Sequence, residues 1–448
     1  MEKNLTSGSV FKTILGFSLP FLLSNFLQTL YGMADLFIIG QFNGVESTTA
    51  VSIGSQVMHM ITVMIVGIAM GTTVVIGICM GANDKKKMSL AVGNTVTLFT
   101  IISVAITVIL ICLVNVITRV MCTPQEAVNG TVQYLTVCFI GIPFITAYNI
   151  ISAIFRGMGD SKSPMYFVAV ACVINIILDV IFIGGLGLGP MGAALGTTVS
   201  QTLSVIVALI VISRKENGLK ISKACLKPDK NVMKEILKVG IPVSLQDGFI
   251  QISFIIITIF ANRRGLNDAA AVGIVEKIIS VIFLVPSSML SSVSSLTAQN
   301  IGAKKHGRAK ETLGYAITIC VIFGVAASVF MVLFAEPVVG IFTNDRISVS
   351  MGSQYLRGYV WDCIFAGVHF CFSGYFCAYG LSGISFVHNC ASILCARIPL
   401  SYYASVHYKD TLFPMGIASP AGSALSVVIC IVAFVWMCRK GINRVERQ

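Results

Sequence analysis

Two aspartates, Asp35 and Asp179, lie in runs otherwise built from apolar, small and amide side chains. A carboxylate at the centre of a membrane helix costs at least ~2.5–3.5 kcal/mol on insertion scales, so such residues usually face a cavity and act there. Tyr31 precedes Asp35 by four residues, Asn175 precedes Asp179 by four, and Ala193 precedes Thr197 by four on the next apolar run. On a helix each pair shares one face. Asp35 lies five residues before Gly40 and Asp179 five before Gly184. At a rise of 1.5 Å per residue, both carboxylates sit ~7 Å below the same surface. Two carboxylates at equal depth can share a proton or a cation, because like charges a few ångströms apart resist joint ionisation. The oxygens of Asp35, Asp179, Asn175, Tyr31 and Thr197 together suit either Na⁺ or a protonated carboxyl. The plainer reading is that Asp35 and Asp179 only hydrogen-bond neighbouring helices for packing.

The elements that must carry these residues are transmembrane helices. The chain has 448 residues, 56% of them hydrophobic and 11% charged, with a mean hydropathy of +0.88. A soluble domain is usually about 25% charged. Apolar runs long enough to cross a ~30 Å hydrocarbon core fall near 14–38, 51–78, 90–116, 131–154, 165–185, 192–212, 236–260, 270–297, 312–334, 354–379, 384–404 and 415–438. The reading is an all-α polytopic membrane protein of twelve transmembrane helices in two pseudo-symmetric six-helix lobes around a central cavity. Strands of a membrane barrel would be only ~10 residues long and alternate in polarity, so a barrel is excluded. The polar first thirteen residues are not followed by a short apolar core with a small-residue cleavage site, so no cleaved signal peptide is expected.

The polar stretch 213–238 divides the chain into an N-terminal lobe (1–212) and a C-terminal lobe (239–448), and reads as a solvated cytoplasmic tether. The halves share residues at an offset near 221. Gly81-Ala82 recurs as Gly302-Ala303, Gln133-Tyr134-Leu135 as Gln354-Tyr355-Leu356, and Phe155, Gly159 and Ser161 as Phe376, Gly380 and Ser382. With small slips Pro20 matches Pro242, and Pro190-Met191-Gly192 matches Pro414-Met415-Gly416. Six spans per half place both halves in the same direction, the parallel-repeat arrangement of alternating-access transporters. A duplicated scaffold without transport is the duller alternative.

The net charge of +12 is a topology signal. With a cytoplasmic N-terminus, the inner segments carry 23 Lys and Arg and the outer segments 6, the positive-inside bias. Both termini are therefore expected in the cytoplasm, in the cell (plasma or inner) membrane, with no nucleic-acid partner. The 14 cysteines lie mostly inside spans without a C-x-x-C pair, so they read as free thiols, with no zinc site or disulfide framework.

Other charges inside spans are Asp247, Glu276, Asp362, Lys277 and Arg397. The repeat puts Ile257 and Leu400 where the N-terminal half has Asp35 and Asp179, so the C-terminal half has no matching pair. Glu276 and Asp362 could attract a cationic substrate, and Asp247 joins them as a candidate of the substrate cavity. Equally, one of these acids could neutralise Arg397 or Lys277. Gly187-Leu-Gly-Pro-Met-Gly192 matches G-x-G-x-x-G without a preceding strand, and the P-loop, H-E-x-x-H and G-x-S-x-G motifs are absent, so no enzyme and no cofactor are expected. His59 and His369 lie within spans and read as packing residues. An ion-coupled exporter competes with a flippase or exporter of a lipid-linked or anionic metabolite, which needs a cation-lined cavity. A membrane-embedded lipid transferase would need a catalytic cluster at the surface, and none is visible.

These features resemble the MATE (multidrug and toxic compound extrusion) family. The resemblance rests on the two parallel halves, Pro20…Tyr31…Asp35, the loop Phe155-Arg-Gly-Met-Gly-Asp-Ser-Lys-Ser-Pro164, and Asn175…Asp179 followed by Pro190-Met-Gly-Ala-Ala-Leu-Gly-Thr-Thr198. It implies H⁺- or Na⁺-driven antiport of mostly cationic, amphipathic compounds by a monomer in the bilayer. By position it implies a cation-coupling site of Tyr31, Asp35, Tyr134, Asn149, Asn175, Asp179 and Thr197, with Pro20 as the hinge of the first span. Some members carry an acid about nine positions after the proline of the seventh span; here that place is Gln251.

Overall fold

The computed structural model describes residues 4–214 and 223–442, and among these every regular element is helical. The first six long helices are α1 (Val10–Phe42), α2 (Val45–Gly81), α3 (Lys85–Val120), α4 (Val128–Gly157), α5 (Lys162–Asp179) and α6 (Gly189–Arg214). They are followed by α7 (Lys230–Asn262), α8 (Leu266–Ile282), α9 (Leu284–Gly302), α10 (His306–Leu333) and the short α11 (Ala335–Gly340). The chain continues through α12 (Arg346–Tyr359), α13 (Asp362–Ala378), α14 (Ser382–Ser392), α15 (Ile398–His407) and α16 (Phe413–Arg439). Among the described residues, eleven helical runs are long and apolar enough to cross a membrane. A twelfth is counted only if α12 and α13, bent by 41° at their junction, are one span.

The apolar run read as 354–379 is therefore broken. Asp362 opens α13, and the N–H groups of Cys363 and Ile364 turn back to the carbonyls of Val360 and Trp361 at 3.0 and 3.2 Å. Elsewhere the helices outrun the apolar segments. The run at 90–116 belongs to a helix starting at Lys85, because Asp84 caps it by accepting from the Lys87 N–H at 2.9 Å. Asp160 likewise accepts from the N–H groups of Lys162 and Ser163, both at 3.0 Å, at the start of α5. Side-chain caps of this kind satisfy donors that the helix itself cannot.

The repeat is written into the backbone. Asn83 and Lys304 both have positive φ (56° and 58°), as do Gly159 and Gly380 (84° and 70°). Each ends a helix with the same bonds: Asp84 N–H to Cys79 O, Lys305 to Asn300, Asp160 to Phe155 and Leu381 to Phe376. These are left-handed C-caps in which the chain turns back on the last helical carbonyls. The recurring Gly-Ala and Phe…Gly…Ser positions thus mark where each half must turn.

The chain forms two compact units, Leu19–Gly240 and Leu5–Ser18 with Ile241 onward. Within the first, α4 packs against α2, α3 and α6, and α6 against α5. Within the second, α13 packs against α9, α10 and α16, and α12 against α8 and α16. The first long helix changes unit beside Pro20, and α7 changes unit beside Pro242. In the second unit the entering arm is tied down: Arg308 Nη1 donates to Gly8 O at 2.7 Å, and Lys305 Nζ to Thr6 O at 2.9 Å. In the first unit, Asn94 receives the Asp229 N–H at 2.6 Å and donates to Cys225 O at 3.3 Å, while Thr97 donates to Leu226 O at 2.7 Å. The described part of 213–238 therefore lies against α3 and continues into α7, rather than running as a solvated tether. Residues 215–222 of that stretch lie outside the described residues.

Arg264 fixes the far end of α7 within the second unit. Its Nε lies 2.7 Å from Asp268 Oδ2, with side chains 5% and 11% exposed. Its two terminal nitrogens donate to the carbonyls of Tyr408 and Lys409 at 2.8 and 3.0 Å, just past the end of α15. Breaking a buried pair strands a charge and costs about 3–5 kcal/mol. Arg264→Ala is therefore expected to lower the thermal unfolding midpoint of the purified protein clearly, whereas Arg346→Ala, at an exposed helix start, leaves it unchanged.

Candidate functional site

The carboxylates read at equal depth meet in the first unit. α1 supplies Tyr31 and Asp35, α5 supplies Asn175 and Asp179, and α6 supplies Thr197. Thr197 Oγ1 donates to Asp35 Oδ2 at 3.1 Å. Asp179 and Asn175 face the Asp35 carboxylate within side-chain bonding reach. Even so, Asp35 Oδ1, both Asp179 oxygens and both Asn175 amide atoms are buried with no hydrogen bond of full geometry. Asp35 is 5% exposed, Asn175 1% and Asp179 0%. Among the described residues, no Lys or Arg is among the groups acting on either carboxylate. The site is a buried pair of carboxyl groups with open oxygen valences.

Local structure aims these side chains. Asp179 is the last residue of α5 before the chain widens into a π turn over Val180–Gly185. Such turns rotate the downstream helix about its axis and recur at functional sites. The backbone of α6 comes close because residue 196 is glycine: a Cβ there would collide with the Asp179 carboxylate. One turn further along α6, Gln201 Nε2 donates to Tyr31 OH at 3.4 Å. Asp35–Thr197 and Tyr31–Gln201 thus form two rungs between α1 and α6. Gln201 lies outside the residues that the sequence marks, and Gly196 is marked only as part of the motif Pro190–Thr198. Gln201 lies four after Thr197, the same spacing that ties Tyr31 to Asp35; for Gly196 the motif gives the residue but not the carboxylate that presses on it.

Of the residues carried by the family resemblance, Tyr134 is 3% exposed and lies within electrostatic range of Asp35 and Tyr31. Its ring covers Gly54 of α2, where a Cβ would strike it. Asn149 is buried, but its amide donates to the Ile145 carbonyl of its own helix at 2.8 Å. Pro20 lies inside α1, and Ser24 donates to its carbonyl at 3.0 Å.

The acids of the second unit divide. Glu276 and Asp362 lie around Arg397, together with Tyr355 and Tyr359. Asp247 lies apart, near Cys377. Neither Glu276 nor Asp362 forms an ion pair with Arg397 or Lys277 among the described residues. Lys277 is exposed.

The MatE family pattern matches residues 20–181 and again 242–403. The chain is 27% identical over 445 residues to "Probable multidrug resistance protein YoeA" of Bacillus subtilis (strain 168), covering 97% of this chain and 96% of that one. It is 28% identical over 369 residues to "Multidrug export protein MepA" of Staphylococcus haemolyticus (strain JCSC1435), covering 82% and 81%. It also resembles the solved structure titled "Outward-facing conformation of a multidrug resistance MATE family transporter of the MOP superfamily", with a TM-score of 0.90, 25% identity and 98% of each chain covered. Matched twice across more than half its length and folded into two units of like packing, the chain belongs to the MatE family of multidrug efflux transporters.

Proposed function

We propose that this transporter is a cation-coupled antiporter exporting amphipathic, mostly cationic compounds, with Asp35 and Asp179 as its ion-exchanging pair. One observation carries the reading: two adjacent carboxylates, 5% and 0% exposed, have no basic group acting on them among the described residues. Uncompensated buried charge costs several kcal/mol per ion, so the pair calls for H⁺ or Na⁺ whenever it is sealed. Thr197, Asn175 and Tyr31 are the neutral oxygen donors beside it. The names of the relatives YoeA and MepA support drug efflux.

In the mechanism, the outward-facing pair captures an ion. The captured charge changes the balance of the Asp35–Thr197 and Tyr31–Gln201 rungs, and α1 repacks against α5 and α6, bending at Pro20. Proline lacks an N–H and clashes with the preceding turn, which makes it a natural joint. The ion drives the change only by binding one packing more tightly than the other. The Lys and Arg distribution supports a cell-membrane protein with both termini in the cytoplasm, acting as a monomer without a cofactor beyond the coupling ion.

The test is efflux of a fluorescent cation from proteoliposomes under an imposed pH gradient and, separately, an imposed Na⁺ gradient. Acceleration by one gradient, lost in Asp35→Asn, is expected and names the ion. Equal efflux with neither gradient would remove the antiport reading.

A further inference from the structure

Arg397 is a buried cation that its own neighbours leave unfinished. It closes the π turn Ile393–Arg397 of the second unit and is 9% exposed. Nη2 donates to Tyr359 OH at 2.6 Å, and the guanidinium lies 4.5 Å from the ring centre of Phe254. Nε is buried without a partner. Beside it, Asp362 is 2% exposed and its Oδ1 is likewise buried without a partner. The two charges act on each other, yet no oxygen of Asp362 or Glu276 lies within 4.0 Å of an Arg397 nitrogen among the described residues.

Opposite charges in one buried cluster ordinarily close into a pair. Here packing holds them apart. Asp362 is turned to Ser423. Arg397 is turned to Tyr359, and its stem is wedged beside Gly422, where a Cβ would come 3.2 Å from Arg397 Cβ and 3.0 Å from Ser392 Oγ. On the accessible edge stand the partly exposed Phe254, Thr258 and Glu276, with the Thr258 hydroxyl 3.4 Å from each Glu276 oxygen. A guanidinium fork with free N–H groups suits a carboxylate. A carboxylate with a free oxygen suits an ammonium or iminium group. A purely cationic ligand would leave Arg397 unpaired, and a purely anionic one would face two acids.

We propose that Arg397, Asp362 and Glu276 form a substrate subsite for zwitterionic amphipaths, with the ligand's carboxylate at Arg397, its cationic group at Asp362 and Glu276, and its apolar body on Phe254. The proposal rests on the export reading and narrows its substrate class. Tyr359 is a positioning residue, since its hydroxyl orients the guanidinium.

The test uses rhodamine 110, a zwitterionic dye, and rhodamine 123, its methyl ester, which lacks the carboxylate. Binding of each to the purified full-length protein is read by fluorescence polarisation. Wild type is expected to bind rhodamine 110 at least tenfold more tightly than rhodamine 123. Arg397→Gln is expected to erase that preference by weakening rhodamine 110 alone, with rhodamine 123 held within about twofold. Tyr359→Phe keeps the ring and is expected to weaken rhodamine 110 about threefold without moving rhodamine 123. No preference in wild type, or equal loss of both dyes in the Tyr359→Phe protein, would overturn the subsite. Gradient-driven efflux of rhodamine 123 from wild-type proteoliposomes reports on the export reading separately, so either can fail without the other.

Discussion

Cells producing Asp35→Asn are expected to be as drug-sensitive as cells carrying an empty vector, while the variant reaches the membrane in normal amount. The amide is nearly the same size as the carboxylate and still accepts from Thr197, whose hydroxyl now holds Asp35 Oδ2 at 3.1 Å. The rung between α1 and α6 survives, and with it the packing of the unit. What disappears is one of the two carboxyl groups, and with it the paired site that captures the ion. Driving a two-state change from 1:99 to 99:1 takes about 5.5 kcal/mol of differential binding. A site with a single remaining carboxylate, Asp179, loses the like-charge repulsion that favours capture of the ion. Inhibitory concentrations and an immunoblot of the membrane fraction check the point together. Full resistance in this variant would sink the coupling role of Asp35.

Gly196→Ala is expected to cut transport at least tenfold while changing thermal stability little. The added methyl would enter the space of the Asp179 carboxylate. Overpacking a tight site typically costs 1–3 kcal/mol, and about 1.4 kcal/mol is already a factor of ten in an equilibrium. Against this, alanine is the better helix former by about 1 kcal/mol. The two terms roughly cancel in the unfolding midpoint but not at the site, where the carboxylate must swing away from Asp35. Gly314→Ala on α10, where a Cβ meets open space, is the control expected to transport normally. Normal transport by Gly196→Ala would mean that the close approach of α6 to Asp179 has no part in coupling.

Much of this arrangement can be read along the helix axis, and little of it around the axis. Counting residues from Gly40 and Gly184 gives Asp35 and Asp179 a common depth. Four-residue spacing then puts Tyr31 and Asn175 on their faces, and the structure brings these side chains together. Depth is one coordinate. Which helix presses on which, and how closely, depends on contacts between residues far apart in sequence. Gly196 shows this: nothing in its neighbours Leu195 and Thr197 announces that a carboxylate lies against it. The π turns after Asp179 and before Ile398 are similarly silent, because inserting a residue into a helical turn changes direction without changing composition. The break between α12 and α13 escapes for a related reason: Val360-Trp361 is apolar, and the bend is decided by tertiary packing and by Asp362 opening a new helix. The resemblance brings Asn149 into the ion site, and the structure shows its amide nitrogen donating to the Ile145 carbonyl of its own helix. Arg397 stood out as a charge in a span, but its lack of an ion pair is a matter of distances that no sequence states.

The exchange of entering arms makes each half depend on a segment carried by the other. Residues Leu5–Ser18 complete the second unit, and Lys230–Gly240 belong to the first, where Gly71 admits the Ile236 carbonyl and Gly240 packs on Ile68. A gene encoding one half alone would yield a bundle lacking its own arm and carrying an arm with no seat. Two copies that traded arms would complete each other. Halves cut within 215–222 and produced separately should each be incomplete, and should recover only on meeting.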